Sequence, residues 1–189
     1  MRQLRARLVK AIDELDPPLL THVVRAFNVL RQYNEREVTD ALKAVSVSLI
    51  EGGLIIEGTC NPTGSLLTFN LYQKDPLIRN TQCALRALGF ILAPTLRADF
   101  LPRQFQSVLP KNFIHHAEPG GAIDIFFAAW HAAWQRARAQ EKEPRQIFTH
   151  AALRLADHYG YTVDRRPALL RRGFLWLGPE WPGKVTSEQ

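Results

Sequence analysis

The sequence predicts an α/β fold: a partial sheet of parallel strands with a terminal antiparallel pair, carrying an inserted hairpin and helical segment. Three observations predict it. Residues 22–60 read as strand, helix, strand; residues 66–73 alternate large apolar and polar positions; residues 161–178 hold two short apolar runs around Pro167. With 189 residues, 46% of them hydrophobic, there is chain enough for one core, so residues 1–189 are read as a single domain.

Residues 2–15 set Leu4, Leu8, Ala11, Ile12 and Leu15 at helical spacing, and Asp16-Pro17-Pro18 ends that helix. Its other side carries Arg2, Arg5 and Lys10. Such a face can lie on a membrane or nucleic acid, but a solvated face on a helix packed against the sheet is commoner and is preferred. HVVRAFNVL (22–30) is a β-branched strand that contains Asn28. Asn34 with Glu37 three residues on is a capping pair for a helix over 35–49, whose inward stripe is Val38, Ala41, Leu42, Val45 and Leu49. Gly52-Gly53 is read as its stop, opening the buried run LIIEGT (54–59). A crossover of this length returns to a parallel strand, so ligands belong at the carboxyl ends. There stand Asn28, Arg31 and Gln32 on one strand and Glu57, Gly58, Thr59 and Cys60 on the other. No glycine precedes Gly52, so no glycine-rich phosphate loop lies upstream in this sequence.

Asn61-Pro62-Thr63-Gly64 is a turn leading into the strand LLTFNLYQ (66–73), and Asp75-Pro76 turns again. TQCALRALGF (81–90) fits both periods and is read as a returning strand. A short helix is expected over 100–108, then a long one over 122–138 with Ile123, Phe126, Phe127, Trp130 and Trp134 on its stripe. Pro144 suits the first turn of a helix over 145–159 that Gly160 closes. YTVDRR (161–166) and RGFLWLG (172–178) then form the terminal pair, and the polar, proline-rich tail is expected to fray.

A net charge of +6 suggests affinity for something anionic. Two cysteines, Cys60 and Cys83, make no disulfide framework and fit a reducing cytosol. MRQLRARLVK lacks the apolar core of a signal peptide, and IDIFFAAWHAAW is too short to span a bilayer. A soluble cytoplasmic protein is expected.

Several residues qualify for a site. Asn28 either contacts a ligand or caps the following loop, and both readings stand. Arg31 and Gln32 are weaker, since either can be a surface contact. A carboxylate at Glu57, inside an apolar strand, needs a partner or a raised pKa; it is a functional candidate unless it pairs with Arg25 next door. Cys60 lacks a base at a recognisable spacing, and GTCNPTG is not a nucleophile elbow. The six histidines form no metal pattern: His115 and His116 adjoin, and His150 and His158 are eight apart. Lys111 and His115, on an irregular segment, are modest substrate-side candidates. Arg165, Arg166, Arg171 and Arg172 read as a solvated basic edge rather than a phosphate site.

The run VVRAFNVLRQYNEREV…GGLIIEGTCNPTG resembles the fourth strand, following helix and fifth strand of class I S-adenosylmethionine-dependent methyltransferases. NVLRQY, GG-L-x-x-EGT, LPK…IH, PG and RQ occur in order at Asn28–Tyr33, Gly52–Thr59, Leu109–His115, Pro119–Gly120 and Arg145-Gln146, as in a set of bacterial methyltransferase-like proteins. LADHYGYTVDRRPALLRRGFLWL is similar to the last helix and terminal strand pair of that fold. The resemblance implies a partial Rossmann-like methyltransferase sheet whose core is residues 20–60 and 145–178, with 61–144 as an inserted hairpin and helical substrate-side region. It implies S-adenosylmethionine as cofactor, Asn28 beside it, Glu57 orienting or deprotonating the acceptor, and Arg31, Gln32, Thr59, Lys111 and His115 toward the substrate. The family's glycine-rich loop and the acidic residue ending its second strand would precede residue 20, and neither is present. A truncated or split methyltransferase-like protein is therefore expected, with a complementary amino-terminal half or a second copy as partner. The alternative is a non-catalytic binding module using its basic surface for nucleic acid or an acidic partner.

Overall fold

The computed structural model describes residues 20–78, 84–97, 99–114 and 117–182. The helix expected over 2–15, residues 81–83 of the expected second return strand, and His115 lie outside the described residues.

Strand β1 (Thr21–Phe27) and strand β2 (Leu49–Cys60) pair in parallel, Val23 opposite Leu54 through Phe27 opposite Gly58. Between them runs α1 (Glu35–Val47). Its start is the capping box: Glu37 N–H donates to Asn34 Oδ1 and Asn34 N–H to Glu37 Oε2, both at 3.0 Å. Its end is not the double glycine. Ser48 caps it, the hydroxyl donating to the Val45 carbonyl at 2.8 Å, and β2 starts at once. Gly52, at φ +76°, instead lies inside β2, where the ladder register slips between Thr21 and Val23.

β3 (Leu66–Lys74) returns antiparallel along β2, β4 (Leu85–Pro94) antiparallel along β3, and β5 (Leu175–Leu177) antiparallel along β4. The order is β1-β2-β3-β4-β5. The resemblance implies a terminal pair beside the second parallel strand, and the observed order corrects that expectation. β5 is at the far edge, and the pair itself is reduced to a bridge between Val163 and Leu177. A hairpin strand joined by the short Asn61–Ser65 turn fills the free edge of β2 from Leu54 to Cys60. Pro167–Leu170, expected as a tight turn, is one turn of helix.

Ladder partners point to the same side of a sheet. Ile55, Tyr72, Phe90, Leu92, Leu175 and Leu177 share one face by this register. All the described helices that pack on the sheet use it. α1 covers Val24 and Ile55 with Leu42, Val38 and Val45. α2 (Ala122–Gln140) and α3 (Pro144–Tyr159) cover the β4–β5 end through a large aromatic core. There Trp130, Phe105, Phe126 and Phe148 are fully buried, each contributing about 1.5–3 kcal/mol, and Phe90 stacks on Trp181 at 4.6 Å. No described helix is long and apolar enough to cross a membrane.

The opposite face carries a transverse row, Phe27, Gly58, Phe69, Ile91 and Trp176, one residue from each strand. Neither buried cluster that holds the helices includes a residue of this row. Gly58 is the gap over which Phe69 leans. A Cβ there would meet the Thr68 carbonyl and stand 2.5 Å from the Phe69 Cβ. Gly58→Ala is therefore expected to destabilise the fold by about 2 kcal/mol or more, read as a lowered urea midpoint; an unchanged midpoint would show that β2 and β3 part easily.

Candidate functional site

β4 runs antiparallel to β3 and hence parallel to β2, so the carboxyl ends of β1, β2 and β4 open on one side of the sheet. Asn28 ends β1 at φ +59°, a left-handed backbone that asparagine tolerates better than most residues. Its N–H donates to the Gly58 carbonyl at 2.8 Å, continuing the ladder one step. Its side chain then crosses to β2: Oδ1 accepts from the Cys60 N–H at 3.0 Å, and Nδ2 lies 3.1 Å from the Cys60 Sγ. Asn28 thus ties the two carboxyl ends together, and its exposed edge borders the opening.

Glu57 is 5% exposed on the helix side, between Ala26 and Asn70 in the ladder. Its partner is Asn70, whose Nδ2 donates to Oε2 at 2.9 Å. The pairing with Arg25 weighed from the sequence does not form: Arg25 aligns with Ile56, hence on the opposite face, and its guanidinium lies 4.4 Å from the Phe27 ring centre. Burial holds the Glu57 carboxyl above its ordinary value, and the Asn70 bond only partly opposes this.

Thr59, one pair further along, is 1% exposed. It and its ladder partner Thr68, hydroxyls 3.1 Å apart, both reach the Val108 carbonyl, Thr68 at 2.6 Å. That carbonyl ends the 3₁₀ helix Pro102–Val108, so the pair fixes this helix onto the sheet.

Beside the fixed helix, at the carboxyl ends of β2 and β4, is an open cleft of about 540 Å³. Three segments wall it: the β2–β3 turn with Asn61 and Ser65, the stretch after β4 with Thr95, Arg97 and Asp99, and the 3₁₀ helix with Arg103, Gln104, Gln106 and Ser107. Leu66 and Phe100 supply apolar floor. Asn61 donates to Ser65 Oγ at 2.8 Å, and Arg103 holds Asp124 Oδ1 at 2.8 Å. The Gly120 N–H, then Arg103, keep the Asp124 carboxyl below its usual range.

The structure brings some of the expected residues to this opening. Arg31 donates to the Ser107 carbonyl at 3.2 Å and so braces one wall. Gln32 closes the 3₁₀ turn Leu30–Gln32, and Lys111 opens the helical turn Lys111–Ile114. Asn28, Glu57 and Thr59 are not among the residues lining the cleft. Arg97, Asp99, Thr95 and Gln106, which do line it, were missed. For Thr95, Arg97 and Asp99 the signal was there: polar residues directly after a strand that runs parallel to β2, the rule that singled out Asn28. No protein-family model matches the chain, and neither the curated proteins nor the solved structures yield a match.

Two outcomes follow from these contacts. Asn28→Gly keeps the left-handed turn and loses only the side-chain latch, whereas Asn28→Ala loses both. Denaturation should show the alanine variant about 1 kcal/mol below the glycine one, and the reverse order would show that position 28 does not need its left-handed backbone. For Glu57, a raised folded-state value means that the neutral acid is the preferred form. Its contribution is present below the ordinary value of 4.5 and lost as pH rises through the raised value. Glu57→Gln stays neutral and keeps an oxygen for Asn70. Its stability relative to the native chain should therefore grow as pH rises above the ordinary value of 4.5, and a pH-independent difference in urea midpoint would contradict the burial effect.

Proposed function

We propose that the chain is the carboxyl-terminal part of a class I methyltransferase-like fold, with the acceptor side at the carboxyl ends of β1 and β2. The observation that carries this reading is the parallel β1–β2 pair crossed by α1, with Asn28 joined to Cys60 at its open end. This is the arrangement the NVLRQY and EGT segments suggest. The position of β5 gives it no support, because β3 and not the terminal pair adjoins β2.

The described residues do not by themselves fit the whole cofactor. The Asn28 amide is engaged with Cys60, and the sequence has no glycine before Gly52 to form a cofactor loop. The missing contacts come, in this reading, from a complementary amino-terminal segment or a second copy. Among the described residues no strand pairs with the outer edge of β1, where such a segment would add. Burial shifts the ionisation of Glu57 upward, toward that of a working base. A second reading has its own observation: Arg171 and Arg172 are exposed and without an acidic partner among the described residues, as a module for nucleic acid or an acidic partner requires.

Titration of the purified chain with S-adenosylmethionine separates the two. The first reading expects weak saturable binding, with Kd on the order of 0.1–1 mM, and amide shifts at Asn28–Arg31 and Thr59–Asn61. It also expects no methyl transfer from radiolabelled cofactor by the chain alone. A flat titration, with salt-dependent binding to an oligonucleotide, would favour the second. Transfer by the isolated chain would overturn the need for a complementary segment.

A further inference from the structure

The cleft at the ends of β2 and β4 is lined by polar groups of two kinds. Most are consumed by the fold. Asn61 bonds Ser65 and the Leu66 N–H, Gln104 accepts from the Leu101 N–H, Ser107 donates to the Gln104 carbonyl, and Arg103 is neutralised by Asp124. These bonds make a rigid wall, further held by Arg31 on Ser107 and by the threonine pair on Val108. The rest are idle. Arg97 and Asp99 line the same cleft, are exposed, and form neither an ion pair nor a side-chain hydrogen bond among the described residues. Thr95 and Gln106 add a hydroxyl and an amide that form no side-chain hydrogen bond among the described residues.

Among the described residues of the cleft, a cation and an anion without a partner, two residues apart over a small apolar floor, select by charge. A simple anion gains Arg97 but meets Asp99, and a simple cation gains Asp99 but meets Arg97. A ligand carrying both charges close together satisfies both. A guanidinium fork matches a carboxylate, and a carboxylate accepts from an ammonium. The volume of about 540 Å³ is in the range of small-molecule sites. Leu66 and Phe100 offer apolar contact to a side chain.

We propose that this cleft binds the zwitterionic head of an α-amino acid or a compound ending in one, its carboxylate on Arg97 and its ammonium on Asp99, with an apolar side chain toward Leu66 and Phe100. The proposal goes beyond the methyl-transfer reading and does not depend on it, since the binding needs no methyl donor.

The test is a ¹⁵N-NMR titration of the full chain with L-leucine, beside its single-charge counterparts 3-methylbutylamine and 4-methylpentanoate, and inorganic phosphate. Saturable shifts with L-leucine, confined to the β2–β3 turn, the stretch after β4 and the 3₁₀ helix, are expected. The single-charge compounds and phosphate should bind at least about tenfold more weakly. Arg97→Gln and Asp99→Asn should each weaken L-leucine by about tenfold or more with an unchanged melting temperature, both side chains being exposed. No saturable shift, equal binding of a single-charge compound or of phosphate, or full affinity in either variant would overturn the proposal.

Discussion

Two hydroxyls on adjacent strands converge on the carbonyl of Val108, and through that contact the sheet, the cleft and the aromatic core become one structure. The carbonyl closes the 3₁₀ helix Pro102–Val108, whose Phe105 packs against Trp130 on one side while Gln104, Gln106 and Ser107 face the cleft on the other. Thr59 and Thr68 are among the few buried polar residues in the described part of the chain, and burial of an unpaired hydroxyl costs more than a made bond returns. The helix must therefore sit where its last carbonyl meets both. Its position fixes the cleft wall, and α2 packs behind it.

The alternation of β2 divides the molecule. Ile55, Glu57 and Thr59 look to the helices; Ile56 and Gly58 look away. On the helix side the apolar contacts of α1 and α2 leave room for polar groups only where each finds a partner across the ladder, as Glu57 does in Asn70. On the other side the row from Phe27 to Trp176 is bracketed by arginines, Arg25 over Phe27 and Arg166 over Trp176. Their stems and planar heads cover aromatic surface that the described helices leave open.

The contrast between bonded and unbonded polar groups separates scaffold from candidate site. Asn28 and Thr59 stand at the carboxyl ends of β1 and β2 yet spend their hydrogen bonds holding the structure together. Arg97 and Asp99 stand on a segment that no ladder requires, and their charges remain open to a ligand. The methyltransferase-like reading and the amino-acid cleft thus draw on different residues of the same rim.

Local chemistry made part of this legible in the sequence. The Asn34–Glu37 box, the Pro144 start and Gly160 stop of α3, and the apolar periodicity of β1, α1 and α2 act over a few residues, so spacing alone reveals them. The parallel return of β2 followed from the length of its crossover. Strand order did not follow, because it depends on which strand occupies each free edge; β3 takes the edge of β2, and β5 lies at the far side. Nor did the partners of Glu57 and Thr59, which come from strand register and from a 3₁₀ helix some fifty residues on. The cleft was the least legible feature. Its free charges are ordinary surface residues in the sequence, and only the folding of three separate segments around them gives them a common ligand to face.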